Sequence, residues 1–243
     1  MRKILIIGAT SAIAEATARR LAERSSTFYL AGRNTSHLEA IASDLTVRGA
    51  KEVFVGQLDL ADLGAHEGLL NDALARLGTI DIALIAHGTL PNQSLCSEAP
   101  DVALREFNVN GTATIAIAGR VASMLRKGAT LAVISSVAGD RGRASNYLYG
   151  SAKAAVTAFL SGLGQRLRPG NINVLTIKPG FVDTPMTSGF KKGALWAKPD
   201  AIAKGIISAI DKRKAVVYLP WFWWGIMTAI KCVPEAVFRR IKL

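Results

Sequence analysis

Tyr149 and Lys153 stand four residues apart in Tyr149-Gly150-Ser151-Ala152-Lys153. On a helix that spacing puts both side chains on one face. A free phenol titrates near 10, too high for ready proton exchange at neutral pH. An ammonium beside it favours the phenolate and lowers that value. A tyrosine so placed can give a proton to a carbonyl oxygen or take one from an alcohol. Tyr147 is a rival, but one turn beyond it stands Ser151 rather than a lysine. Ser136 lies upstream, just past the β-branched run Thr130–Ile134, where its hydroxyl can hold a substrate oxygen. Ser135 is its local rival.

A second constellation suits a phosphorylated cofactor. The apolar run Lys3–Ile7 leads into Gly8-Ala9-Thr10-Ser11-Ala12-Ile13-Ala14. A turn of small residues between strand and helix lets backbone N–H groups approach a pyrophosphate at the positive end of the helix. Gly8, Thr10, Ser11, Ala12 and Ile13 are the expected contacts. Ala12 and Ala14 stand where glycines are usual; Ala14 suits helix–strand packing, whereas Ala12 crowds the pyrophosphate. The run Thr27–Ala31 ends in Gly32-Arg33 with no acidic residue to accept from a ribose 2′-hydroxyl. The guanidinium fork of Arg33 matches a 2′-phosphate, so NADP is expected in preference to NAD. Asp59, followed by Leu60, can accept from an adenine amino group or cap a helix beginning near Asp62. Gly88 lets backbone come close to the cofactor.

These residues need a scaffold that gathers them. Strands are expected at Lys3–Ile7, Thr27–Ala31, Glu52–Gln57, Ile80–Ile85, Thr130–Ile134, Asn173–Ile177 and Ala215–Leu219. Several are apolar throughout, as strands covered on both faces should be. Helical patterns at Ile13–Arg24, Thr35–Arg48, Asp62–Leu77, Asp101–Arg126 and Tyr147–Arg168 alternate with them. The order predicts an α/β fold of Rossmann type: one doubly wound, parallel, seven-stranded sheet with helices on both faces. Residues 1–219 form one domain and residues 220–243 an aromatic, basic tail.

Composition excludes several classes. Of 243 residues, 50% are apolar and 20% charged, which rules out a disordered chain. Two cysteines, Cys96 and Cys232, offer neither a disulfide framework nor metal-type spacing, so no metal is expected and a reducing, cytoplasmic setting is. The basic Met1-Arg2-Lys3 start reads as the lead-in to a buried strand, because the apolar run after it is too short for a signal peptide. No apolar run is long enough to span a bilayer. A net charge of +12 attracts phosphates and anionic lipid. The basic residues are scattered rather than striped with aromatics, so nucleic acid is not an expected partner. Trp221-Phe222-Trp223-Trp224 and the terminal Arg239, Arg240 and Lys242 suit either a peripheral membrane contact, or packing over a pocket or subunit interface.

Taken in order, Gly8-x-x-x-Ala12-x-Ala14, Asp59, Asn108-Val109-Asn110-Gly111, Ser136, Tyr149-x-x-x-Lys153 and Pro179-Gly180 resemble the short-chain dehydrogenase/reductases over residues 1 to about 188. The resemblance implies a catalytic set of Asn108, Ser136, Tyr149 and Lys153. Ser136 orients the substrate oxygen, Tyr149 is the acid/base, and Lys153 lowers the tyrosine's pKa and holds the nicotinamide ribose. Asn108, which fits the family spacing to Gly111 where Asn110 does not, holds a relay water. It also implies that Pro179, Gly180, Val182 and Thr184 close on the nicotinamide carboxamide, and that the two longest helical stretches build a homodimer or homotetramer. There are two departures: the lost glycines, and Ile85-Ala86-His87-Gly88 where the family has Asn-Asn-Ala-Gly, which removes side chains that brace the loop. Ser135–Arg141, Ser145-Asn146-Tyr147 and the tail are similar to reductases of decaprenylphosphoryl 2-keto-pentose, which implies a bulky or lipid-linked carbonyl substrate. The expectation is an NADP(H)-dependent oxidoreductase interconverting carbonyl and alcohol. An NADP-binding sensor or scaffold of weak catalysis is the competing class; the altered glycine turn permits it and the intact catalytic set opposes it.

Overall fold

The computed structural model describes residues 1–241; Lys242 and Leu243, the end of the tail segment, lie outside the described residues. Seven strands form one sheet: β1 (Lys3–Ile7), β2 (Thr27–Gly32), β3 (Glu52–Gln57), β4 (Ile82–Ile85), β5 (Thr130–Ile134), β6 (Asn173–Pro179) and β7 (Val216–Leu219). Their order is β3-β2-β1-β4-β5-β6-β7 and every pairing is parallel. β2 and β4 are buried along their whole length and β1 nearly so, which is why their sequences are apolar runs rather than alternations. The sheet separates two apolar layers. One joins Ile4, Ile6, Phe28 and Leu30 to α1 (Ala12–Ala22), α2 (Thr35–Val47) and α8 (Pro199–Asp211). The other joins Leu5, Ile7, Tyr29 and Leu131 to α3 (Ala65–Leu77), α6 (Ala113–Met124) and α7 (Tyr147–Leu167).

Strand order reverses between β1 and β4, so the crevice that a parallel sheet offers to ligands opens above their C-terminal ends. Gly8 follows β1, Gly88 follows β4, Ser136 follows β5 and Pro179-Gly180 ends β6. All the candidate chemistry therefore collects on one edge of the molecule.

The expected helix over Asp101–Arg126 is interrupted. Short helix α4 (Gln93–Glu98) precedes α5 (Pro100–Phe107), a π-helical turn occupies Asn108–Thr112, and α6 follows. The helix expected from Asp62 begins at Ala65, because Asp62 turns its carboxylate back onto the Gly64 N–H at 3.0 Å. The tail forms α9 (Phe222–Cys232) and the short α10 (Glu235–Phe238). No helix among the described residues is long and apolar enough to cross a membrane.

Candidate active site

The phosphate turn takes the form its residues imply. Gly8 adopts a φ of 78°, a conformation that favours glycine, and an added Cβ would stand 2.5 Å from the His87 nitrogen. Ser11 caps α1 without a side-chain hydrogen bond, so the first-turn N–H groups at Ala12 and Ile13 are presented outward, as an anion requires. Ala14 is wholly buried against the sheet, the packing place where alanine replaces glycine. Arg33 is exposed just past β2, beyond buried Gly32. Asp59 accepts the Ala61 N–H at 3.1 Å within a turn and does not cap α3; Leu60 is a core residue.

The helix α7 begins at Tyr147 and carries Tyr149 and Lys153 on one face, with Lys153 Nζ 5.7 Å from the Tyr149 ring centre. Ser136 Oγ accepts the Ala138 N–H at 3.1 Å, and Ser136 also hydrogen-bonds to Tyr149. Both rivals are otherwise engaged. Tyr147 is half exposed with its hydroxyl on Ser97 at 2.6 Å. Ser135 is buried, donating to the Lys153 carbonyl at 3.0 Å and sharing a hydrogen with Thr157.

One finding differs from the sequence reading. Burial pushes the Tyr149 phenol up to about 12, against the opposing pull of the Ser136 hydrogen bond. The expected lowering by Lys153 is absent. The reason is mutual desolvation: Lys153 is 2% exposed, and burial pulls its own ammonium down to about 8. Among the described residues no carboxylate pairs with it; its nearest hydrogen-bond acceptor is the Ile134 carbonyl at 3.4 Å.

The π turn places its two asparagines differently. Asn108 opens the π turn and is only half buried. Asn110 is fully buried; its Oδ1 accepts the Thr89 N–H at 3.0 Å, and its Nδ2 donates to Thr89 Oγ1 at 2.8 Å and to the Glu106 carbonyl at 3.1 Å. A Cβ on Gly88 would meet Asn110 Oδ1 at 3.0 Å and Lys153 Nζ at 3.4 Å, so these three groups converge. A wider turn changes which side of the helix each residue faces.

His87, to which sequence reasoning assigned no chemistry, supplies the missing brace. Its Nε2–H donates to the Val109 carbonyl at 2.6 Å, inside the π turn. Burial foremost, and then the charge of Lys153, hold its imidazole down to about 3, so it stays neutral and acts as a fixed donor. The histidine therefore ties the end of β4 to the turn that carries Asn110.

The loop after β6 is ordered as well. Val182 is buried and bridges to Ala197, while the Thr184 hydroxyl shares a hydrogen bond with Thr187 Oγ1 at 3.3 Å. Gly180 is required by the tail: a Cβ there would lie 1.9 Å from Trp223 Nε1. Phe181 stacks on Trp196 at 5.4 Å and meets Trp223 edge-on at 5.1 Å.

Residues 2–194 match the family described as short chain dehydrogenase. The chain belongs to the short-chain dehydrogenases. Relatives in that family include an uncharacterized oxidoreductase of Mycobacterium tuberculosis, 34% identical over 240 residues that make up 98% of this chain and 96% of that one. Another, from Streptomyces coelicolor, is 34% identical over 246 residues, 99% of this chain and 96% of its own. The fold is shared with a variant of actinorhodin polyketide ketoreductase determined with NADPH, at a TM-score of 0.80 and 20% identity over 91% of this chain and 97% of that one. It is also shared with a structure assigned as a dehydrogenase of Burkholderia cenocepacia with bound NADP, at 0.80 and 21% over 89% and 91%. As a short-chain dehydrogenase, the chain is an oxidoreductase of Rossmann fold.

Proposed function

We propose that this short-chain dehydrogenase is an NADPH-dependent reductase of a carbonyl compound. The observation that carries the reading is the convergence of Ser136, Tyr149 and a buried, carboxylate-free Lys153 at the mouth of the β1/β4 crevice. The donor set fits a dinucleotide: outward N–H groups at Ala12 and Ile13, an exposed Arg33 for a 2′-phosphate, and a buried cation at Lys153 for ribose hydroxyls. Both solved structures of similar fold hold NADP or NADPH. Bound NADPH supplies the hydride; the remaining steps belong to the chain. Ser136 donates its hydroxyl hydrogen to the substrate oxygen while its own oxygen accepts the Ala138 N–H. Tyr149, held protonated, gives its proton to that oxygen as charge develops there. Asn108, at the start of the π turn, would hold the relay water, while Asn110, with both amide hydrogens committed to Thr89 and Glu106, braces the turn beside Lys153. Gly180, Val182 and Thr184 shape the nicotinamide end.

Cofactor choice tests the nucleotide end directly. Arg33→Ala should weaken NADPH binding about ten- to a hundredfold relative to NADH, the worth of one or two charge-assisted hydrogen bonds. Fluorescence titration with both nucleotides checks it, and an unchanged preference removes Arg33 from the phosphate site.

Direction follows from the same groups. Tyr149 stays protonated across the working range, whereas Lys153 loses its charge near pH 8. Reduction should therefore run fastest below that value, with kcat/KM falling as pH rises through it. NADPH oxidation over a panel of ketones and aldehydes, followed from pH 6 to 10, reads this out. A rate that climbs through pH 8 contradicts the assignment.

The tail supports a bulky, hydrophobic substrate met at a membrane surface. Trp223 and Met227 face inward, while Trp221 is 81% and Trp224 63% exposed on the other side, with Lys231 exposed about two turns beyond Trp224. No acidic residue interrupts that helix. Aromatic and basic side chains on one face suit an anionic interface. Sedimentation with phosphatidylglycerol vesicles should carry down the wild type and leave the Trp221→Ala/Trp224→Ala double variant in solution. Equal recovery of the two in the supernatant overturns this contact.

A further inference from the structure

Ser136 begins a short 3-10 turn, Val137–Asp140, and Arg141 follows it. Asp140 is buried, and its carboxylate takes two partners from the neighbouring strands. One oxygen is ion-paired with buried Lys178 of β6, and the other accepts the Tyr218 hydroxyl of β7 at 2.6 Å. Lys178 also lies over the Tyr218 ring at 5.3 Å. Burial and the Asp140 carboxylate push the Tyr218 phenol far above its usual range, so it remains a donor. A buried ion pair whose oxygens are both satisfied holds its geometry, because separating it leaves an uncompensated charge. One end of the serine's turn is thereby fixed to the sheet edge that also carries Pro179-Gly180.

The other end is fixed to the tail. The Arg141 guanidinium donates to the Ile230 carbonyl at 2.8 Å, the Lys231 carbonyl at 3.3 Å and the Val233 carbonyl at 2.6 Å. It also donates to Glu235 Oε2 at 2.9 Å and lies 3.9 Å from the centre of the Phe238 ring. The last carbonyls of a helix have no partner within it and form its negative end. A cation from 89 residues earlier in the chain is here the cap of α9. The same helix sends Trp223 against Val137 and over Gly180. α9 thus rests on both loops that form the reacting end of the crevice, and Arg141 is its lock.

We propose that Arg141 is a positioning residue: by capping α9 it makes the tail a fixed wall of the site and holds the Ser136 turn and the Gly180 loop in register. The role rests on the reductase reading, since it concerns that site's geometry. Its test does not require turnover. Hydrogen exchange followed by mass spectrometry is compared for the wild type, Arg141→Ala and Arg141→Lys. In Arg141→Ala, exchange should quicken about tenfold or more in peptides covering α9 and, in the same sample, in residues 136–140 and 179–184. Residues 3–22, which form the phosphate turn and its flanks, should exchange as in the wild type. Arg141→Lys should recover part of the protection, because an ammonium can reach one carbonyl but cannot fork across three. Tail release without change at 136–140 and 179–184, or no change anywhere, overturns the proposal. If Arg141→Ala does not fold, Glu235→Gln weakens the same lock from the tail and should give the same pattern at about a few-fold. A failure of the reductase reading would appear instead as wild-type protein that does not oxidise NADPH with any carbonyl compound, leaving the exchange result standing.

Discussion

Tyr149→Phe should reduce carbonyl compounds about a hundred- to ten-thousandfold more slowly than the wild type, the range by which a positioned general acid accelerates proton transfer. The substitution removes one oxygen and little volume, and Val156, Leu160 and Leu163 further along the helix keep it packed on the sheet. The thermal midpoint and NADPH affinity should therefore stay close to wild type, and the loss should fall on kcat. Ser136 would keep its bond to the Ala138 N–H and still orient the substrate oxygen. What disappears is the hydroxyl that hydrogen-bonds to Ser136. Single-turnover NADPH oxidation separates the proton-transfer defect from product release. A Tyr149→Phe variant that turns over a good substrate normally would remove the tyrosine from the mechanism and return the protein to the class of cofactor-binding sensors.

Gly8→Ala should damage both the fold and the cofactor end. A non-glycine residue in the left-handed region costs about 1–2 kcal/mol. Here the methyl would also meet backbone, at 2.5 Å from the His87 nitrogen and 2.7 Å from its Cα. That backbone cannot step aside, because the Ala86 N–H bonds to the Ile7 carbonyl at 2.8 Å and Ile7 pairs with Ile85. Unfolding free energy should fall by about 3 kcal/mol, more than strain alone supplies. NADPH affinity should drop at least about tenfold as the turn opens. Urea unfolding and nucleotide titration measure the two effects. Ala12→Gly is the useful contrast, since it adds a glycine where the family usually has one and touches no packed backbone. Wild-type stability and affinity in Gly8→Ala would show that the turn is not built around this position.

Sheet topology was readable because each strand is a short apolar run bounded by turn residues, and alternation with helices leaves a parallel arrangement as the physical outcome. All seven strands stand where expected to within about two residues. That Ser136, Tyr149 and Lys153 would come close to one another was readable because their spacing has meaning within one loop and one helix. The different burial of Asn108 and Asn110 was not, because no local pattern announces a π turn. The Tyr149 shift was missed for another reason. Sequence shows that a cation is near, but only three-dimensional burial shows that water is excluded from both partners. The tail's sequence suits either a membrane contact or packing over a pocket or interface, and α9 buries Trp223 while Trp224 and the N-cap residue Trp221 stay exposed. Its cap by Arg141 spans far too much chain for any motif to reveal.

Lys153 leaves a mark on the energetics of the whole fold. In an unfolded chain a lysine titrates near 10.4, and in the folded protein burial brings it to about 8. Between those values the unfolded chain binds more protons than the native one, so unfolding free energy rises with pH across that window. The full difference is about 3 kcal/mol. The reaction runs the other way, slowing as the same proton leaves. The fold is therefore more strained under the conditions in which it works than in mild alkali, and a nucleotide whose oxygens solvate that ammonium would relieve the strain as it binds.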